Sequence, residues 1–449
     1  MRHAVLASLT LLWLGGIVAS AHYRDLAWLQ YLFVDLTWIQ VVLLAAGGYG
    51  AFLVAAGVVA GWRQPPRPRG GARPMVSIIV PAKDEAAVIE GTVRALAALD
   101  YHEDGRPRYE IIVVDDQSTD GTGALLERLA AELPLTVVRT PEGSVGKAAA
   151  LNLGTARARA DLIAVFDADA RVAPDFLDRL VPELLAPRVG GVQSCRMVSN
   201  AAQNALTRVQ DDEYRLFQRN LQRARQALGG MVCLSGNGLI VRREAIEEVG
   251  GWHEEALTED IDLSVRFHLA GWEIRYRDDA IVWEEAVPSV GALIRQRTRW
   301  FEGGVRCLGD HLPGILIGRI GTFKRVDMFF FLGGALLVSL ALLTTYLYAA
   351  IDLAGAVVLY LQLPRSLTTI SSVLMSAAIL LAAAAEHRAR PWRLVPALLG
   401  LAVFSLHRLV LLPLAAYRYV RSAITGELLW EKTAHGASAG VRAGTKDEG

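Results

Sequence analysis

The chain has 449 residues, 53% of them hydrophobic, and its 46 basic and 46 acidic side chains balance to a net charge of zero. Zero net charge leaves no global pull toward nucleic acid, and the length accommodates one large catalytic unit plus a membrane part. The apolar residues are concentrated in blocks toward the two ends, which argues for transmembrane segments rather than a larger core.

Residues 4–21 are apolar, follow Arg2 and end in Ala19-Ser20-Ala21, so they read as a first transmembrane helix or a cleaved signal peptide, the helix being preferred. A second full span covers 38–61, and the two are expected to form a hairpin. A Pro- and Gly-rich linker, 62–74, carries Arg63, Arg67, Arg69 and Arg73. The positive-inside rule places that linker in the cytoplasm, whichever reading of 4–21 holds.

From residue 75 strand-like and helix-like segments alternate. Val76–Val80 is β-branched and bounded by Pro81; Glu85–Leu99 has helical spacing; Glu110–Val114 is a strand that stops at Asp115-Asp116. Thr122–Leu133 is helical, Leu135–Val138 a strand, Lys147–Arg159 a helix, and Leu162–Phe166 a strand ending at Asp167. This alternation predicts an α/β domain with a largely parallel sheet covered on both faces. Ligands of such sheets bind beyond the carboxyl ends of the strands, where Lys83-Asp84-Glu85, Asp115-Asp116 and Asp167/Asp169 fall.

After Lys324-Arg325 the chain turns apolar again. Spans are expected at 327–350, 366–385 and 394–417, the last interrupted by His407-Arg408. The piece 353–363 is too short to cross alone and either extends the next span or is re-entrant. Arg388, Arg390 and Arg393 favour a cytoplasmic loop, and Arg418, Arg421 and Lys432 a cytoplasmic tail, which are incompatible if 394–417 crosses once. The Gly- and Ala-rich tail at 436–449 has the composition of a disordered segment.

The polar middle carries the chemistry. Asp167-x-Asp169 at a strand end offers two carboxylates and no histidine, which suits Mg²⁺ or Mn²⁺ bridging nucleotide phosphates. Asp115-Asp116-Gln117-Ser118 joins a strand to a helix; capping explains part of it, and a ribose hydroxyl or a metal-bound water is the natural partner of the remaining acid. Lys147 opens a helix, either as an exposed first-turn lysine or as a diphosphate contact. Thr258-Glu259-Asp260 precedes a helix at 261–270; Thr258 as a cap with dipole-favoured acids is the plain reading, and Asp260 as a general base is the functional one. Gln296, Arg299 and Trp300 share one helix face, as an interfacial anchor or as the frame of an acceptor cavity with Arg299 beside a diphosphate. Ser235-Gly236-Asn237-Gly238 permits close backbone approach, as a turn or as an acceptor-site wall. Cys195, Cys233 and Cys307 form no C-x-x-C pattern and read as buried thiols, and none of the nine histidines pairs at zinc-ligand spacing.

Val80-Pro81-Ala82-Lys83-Asp84-Glu85, Asp115-Asp116-Gln117-Ser118, Asp167-Ala168-Asp169, Thr258-Glu259-Asp260 and Gln296-Arg297-Thr298-Arg299-Trp300 together resemble, in order and spacing, the motifs of membrane-embedded family 2 glycosyltransferases. The resemblance covers about residues 75–305, and Asp84 departs mildly from the family's usual Asn. It implies a GT-A (Rossmann-like) catalytic domain flanked by transmembrane α-helices and an inverting hexosyl transfer from a UDP-sugar. Carried over, Asp84, Glu85, Asp116 and Lys147 serve the nucleotide-sugar with Gln296, Arg299 and Trp300, which close the site. Asp167 and Asp169 serve the metal, Asp260 is the base, and Gly236, Asn237, Gly238 and Glu259 lie on the acceptor side.

The implied layout is a hairpin at 1–61, a linker at 62–74, a cytosolic GT-A domain at 75–285, interfacial helices at 286–325, transmembrane helices at 326–417 and a polar tail at 418–449. Finer matches at Ala227-Leu228-Gly229-Gly230, Ser235-Gly236-Asn237-Gly238, Gly250-Gly251-Trp252-His253-Glu254-Glu255, Trp283-Glu284-Glu285 and Trp300-Phe301-Glu302-Gly303-Gly304 are similar to cyanobacterial-type monoglucosyldiacylglycerol synthases. They imply transfer of one hexose, glucose, to a lipid such as diacylglycerol by a multi-pass membrane enzyme. The alternatives are a processive synthase of β-glucan, hyaluronan or poly-N-acetylglucosamine, and a membrane scaffold with an inactive module. Complete retention of the acidic set disfavours the scaffold, because unpaired carboxylates at buried edges cost stability.

Overall fold

A computed structural model describes residues 31–35, 37–62, 72–143, 146–353, 357–361, 365–386 and 391–425. The expected span at 4–21, Arg63, Arg67 and Arg69 of the linker, and the tail beyond 425 lie outside the described residues.

The central unit is one eight-stranded sheet. In chain order its strands are β1 (Val76–Ala82), β2 (Tyr109–Asp115), β3 (Leu135–Arg139), β4 (Leu162–Val165), β5 (Arg171–Val172), β6 (Val189–Val198), β7 (Leu239–Arg242) and β8 (Glu273–Glu284). They lie in the order β3-β2-β1-β4-β7-β6-β8-β5. The first four pair in parallel, as the alternation of segments predicts. Beyond them the sheet is mixed, which corrects the largely parallel expectation. β7 runs antiparallel to both β4 and β6, and β5 antiparallel to β8, while β6 and β8 are parallel. Between β6 and β7 the chain makes a long helical excursion, so β7 is free to re-enter from the opposite end.

Helices α1 (Thr37–Trp62), α2 (Ile89–Ala97), α3 (Thr122–Glu132), α4 (Lys147–Arg157), α5 (Phe176–Leu184), α6 (Ala205–Glu213), α7 (Asn220–Leu228), α8 (Glu259–Leu269) and α9 (Val290–Ile317) follow in sequence. The two-residue period of β1 divides the core. Ile78 and Val80 face Val93, Leu126 and Phe176 of α2, α3 and α5 on one side. Ile79 faces Leu151 of α4 and Phe267 of α8 on the other. α4 comes so close that a Cβ on Gly154 would stand 2.6 Å from Ile79 Cγ2, so only glycine fits there. The helix expected over 85–99 is shorter, because Glu85 and Ala86 donate their backbone N–H groups to Thr122 and Asp120 and so pin the β1–α2 loop to the β2–α3 loop.

Four more helices complete the described chain: α10 (Thr322–Leu353), α11 (Arg365–Glu386), α12 (Leu394–Ser405) and α13 (Arg408–Thr425). Two described stretches are long and apolar enough to cross a membrane, Thr37–Trp62 and Pro391–Ser422. Beyond Leu353, the described part of the piece expected at 353–363 is a short strand, not a helix. Val357–Leu361 pairs in parallel with Tyr31–Asp35. The apolar helices are tied to the sheet domain by buried polar contacts. Asp327 of α10 is fully buried and accepts hydrogen bonds from Tyr49 of α1 (2.7 Å), Arg225 of α7 (3.1 Å) and the backbone N–H of Met231 (2.7 Å). A Cβ on Gly230 would lie 2.5 Å from that carboxylate, which accounts for the second glycine of Gly229-Gly230.

Candidate active site

The carboxyl ends of β1, β2 and β4 lie side by side and open into a cavity of about 480 Å³. Asp116, directly after β2, is buried and accepts from the Thr140 hydroxyl (3.0 Å), Lys83 Nζ (3.3 Å) and the N–H of Gly146 (3.3 Å). Its neighbour Asp115 instead accepts from the Ser118 N–H at 3.0 Å and serves the turn. Asp84 sits at a positive φ of 51° and accepts from the N–H and hydroxyl of Thr119, so its carboxylate staples two loops and is not among the residues that line the cavity. Glu85 does line it.

Lys147 is not an exposed first-turn lysine. Its ammonium lies 2.5 Å from Asp167 Oδ1 and 3.4 Å from Glu259 Oε1, and it donates to the carbonyl of Gly236 at 3.0 Å. Burial pulls its pKa down, and the charges of Asp167 and Glu259 more than offset this, leaving it above its ordinary value. Asp169 is buried and accepts from the Glu285 N–H at 2.7 Å. Thr258 stands at the start of α8 without a side-chain cap bond, and Asp260 accepts from the first-turn N–H of Ile261. Asp260 lines the same cavity, and its pKa is pushed up to about 7, mainly by burial and then by the charge of Glu259, with Lys147 working in the opposite direction.

Gly236 and Gly238 both adopt positive φ, 73° and 64°. Gly236 faces the cavity. Asn237 does not: it is fully buried beneath the floor, where it accepts from the Asp167 N–H and donates to Glu284. Gln296, Arg299 and Trp300 of α9 line the opposite wall, and Arg299 Nε finds no hydrogen-bond partner among the described residues.

The structure adds residues whose place the sequence did not reveal. Arg196 of β6 pairs with Glu284 of β8 at 2.6 Å and lies over the Trp300 ring at 5.7 Å. Arg297 pairs with Glu213 at 2.6 Å and stacks on Trp300 at 4.4 Å. A single π-helical turn, Tyr214–Arg219, between α6 and α7 brings Arg219 to the cavity, a distortion often found at functional sites. The available signal was the run of polar residues Gln193, Ser194 and Arg196 inside an otherwise apolar strand.

The side chains of Asp167 and Asp169 offer oxygen donors alone, and Asp116, Glu259, Asp260 and Glu285 line the same cavity, where the Lys147 ammonium lies against Asp167. That oxygen donor set fits a hard divalent cation. A second group, Asp262, Cys307 and His311, comes within 4.8 Å, which the spacing of the histidines along the chain did not disclose. There both Asp262 oxygens are engaged, by His311 (2.7 Å), Arg266 (2.8 Å) and His253 (3.0 Å), and the guanidinium would repel a cation. All three cysteines are buried and free.

Residues 73–303 match the sequence profile described as Glycosyltransferase like family 2. The chain belongs to glycosyltransferase family 2. Among the relatives of this family 2 enzyme, a beta-monoglucosyldiacylglycerol synthase of Synechocystis sp. is 36% identical over 377 residues, 81% of this chain and 76% of that one. A protein of the same name from Nostoc sp. is 42% identical over 264 residues, 58% of this chain and a little over half, 56%, of that one. A mannosyltransferase from Pyrobaculum calidifontis, solved with GDP-Man and Mn²⁺, superposes with a TM-score of 0.56 at 24% identity, over 79% of this chain and 99% of that one. At that identity the likeness is one of fold, a GT-A-like α/β arrangement with a curled mixed sheet.

Proposed function

We propose that this family 2 glycosyltransferase moves one glucosyl residue from UDP-glucose to diacylglycerol at a membrane surface, with inversion at the anomeric carbon. The observation that carries the reading is that one cavity gathers Asp260, Asp167, Asp169 and Lys147, with Asp260 and Lys147 both beside Gly236. The names of the two relatives supply the sugar and the lipid.

In this reading the nucleotide lies against Glu85, Asp116 and Lys83 at the ends of β1 and β2, with Lys147 and Arg299 toward the diphosphate. Asp84 acts on that subsite through Thr119 rather than by contact. Asp167 and Asp169 would hold Mg²⁺ or Mn²⁺, which supplies charge neutralisation on the leaving diphosphate when bound. The Asp260 carboxylate accepts the proton of the acceptor hydroxyl as that oxygen bonds to the anomeric carbon and the bond to UDP breaks. Attack from the face opposite the leaving group turns an α-linked donor into a β-glucoside. Gly236 and Glu259 shape the acceptor side, and Trp300, held by Arg297 and Arg196, closes it.

The multi-pass topology belongs to the same proposal. Thr37–Trp62 and Pro391–Ser422 cross the bilayer, and residues 75–325 face the cytoplasm, on the side of the Arg63–Arg73 linker and Lys324-Arg325. The test is the full-length enzyme with radiolabelled UDP-glucose and diacylglycerol in liposomes. A single-glucose lipid that partitions into organic solvent and is cleaved by a β-glucosidase is the expected product. A water-soluble polymer would replace this reading with a processive synthase.

A further inference from the structure

The cavity does not end at the sheet domain. Its lining continues from Asp260 and Trp300 to Phe331 of α10 and Arg408 at the start of α13. Arg408 is exposed and is the single Arg, Lys, Asp or Glu between Leu394 and Tyr417. That stretch is tied to the sheet domain by Arg393 beside Asp212 and Arg418 beside Glu302, and the guanidinium at 408 is turned into the cavity. Such a charge is costly in hydrocarbon and persists where it faces a polar cavity or pathway.

The helix is broken at the same place. Between α12 and α13 the N–H groups of Leu406, His407, Leu409 and Val410 reach the carbonyls three residues back instead of four. The break ends α12 and starts α13 at Arg408, the residue that reaches the cavity. Three other arginines of the lining are already matched, Arg297 by Glu213, Arg225 by Asp327 and Arg196 by Glu284, while Arg299 is assigned to the donor diphosphate. Among the described residues no carboxylate is paired with Arg408.

We propose that the acceptor lipid enters the cavity sideways from the bilayer, between α10 and the α12–α13 break, and that Arg408 binds its head. This rests on the reading of the enzyme as a lipid glucosyltransferase. The ligand class is a neutral glycerolipid. Its ester carbonyls accept from the guanidinium while its free hydroxyl extends toward Asp260, and its chains remain in the hydrocarbon against Phe331. A phosphate-bearing head would bring further negative charge toward Asp260, Glu259 and Glu285, which a neutral head avoids.

The experiment compares full-length wild type, Arg408→Leu and Arg408→Lys in phosphatidylcholine nanodiscs with graded diacylglycerol. Loss of a charged hydrogen bond to the lipid predicts a KM for diacylglycerol raised roughly tenfold or more in Arg408→Leu, with partial recovery in Arg408→Lys. The KM for UDP-glucose and the melting temperature should stay at wild-type values. A photoreactive diacylglycerol should label the wild type within residues 406–410 or on α10, and unlabelled diacylglycerol should suppress the labelling. An unchanged lipid KM in Arg408→Leu overturns the proposal, as does an equal rise in both KM values. A phosphatidic acid that competes at Arg408 more strongly than diacylglycerol overturns the neutral ligand class. If the wild type forms no glucolipid at all, the functional reading itself is lost, a result distinct from normal lipid kinetics in the variant.

Discussion

A Cβ added to Gly236 would stand 3.0 Å from the Asp260 carboxylate and 3.1 Å from the Lys147 ammonium. Asp260 and Lys147 therefore meet at a backbone without a side chain, with φ at +73°. Gly236→Ala should strain that backbone by about 1 kcal/mol and lower kcat by at least tenfold by displacing Asp260. Steady-state kinetics beside a melting curve separate the two effects: a variant with wild-type turnover would detach Gly236 from the reacting centre.

Asp260→Asn should cut transfer by ~10²–10⁴-fold while leaving UDP binding intact. The proposed base works as a carboxylate and its pKa is pushed up to about 7, so wild-type activity should rise with pH through that region. Stability should move the other way. The folded state holds this proton more tightly than the unfolded chain, so wild type loses stability as pH rises from the ordinary carboxylate range toward 7. Asp260→Asn should match wild-type melting at pH 4 and exceed it at pH 8.

Removing the metal should abolish transfer by the purified enzyme, and Mg²⁺ or Mn²⁺ should restore it. Asp169→Ala should lose most activity at any metal concentration with its circular dichroism unchanged. Full turnover in EDTA would take Asp167 and Asp169 out of a metal-binding role.

Asp84→Ala tests a residue whose carboxylate serves Thr119 instead of the cavity. It should lower the melting temperature, and its effect on the KM for UDP-glucose should be smaller than that of Asp116→Ala. A larger effect on donor affinity than Asp116→Ala would mean that Asp84 touches the nucleotide directly.

The strand ends were legible because β-branched runs stop abruptly at acids, as at Val114-Asp115 and Phe166-Asp167. A two-residue period and a break in it survive in one dimension. Strand direction does not, so β7 was not foreseen as antiparallel: its pairing is decided by where a long helical excursion returns. Side-chain aim was equally hidden. Asp84 and Asn237 stand in motif positions beside the cavity, yet one points to a loop and the other to the floor. Arg196 and Glu284 are 88 positions apart, and only the parallel pairing of β6 with β8 makes them partners.

The carboxylate of Asp327 holds α1, α7, α10 and the strand of chain that leads to Gly236 at one point. A line drawn on hydropathy would cut the protein at residue 325 and discard that point. The excised catalytic unit would keep Arg225 as an orphaned buried cation, a loss on the order of 3–5 kcal/mol when one partner of such a pair is removed. The apolar helices are thus structural members of the sugar-transfer unit, and an expression strategy that trims them should yield a protein that folds poorly or lacks its acceptor wall.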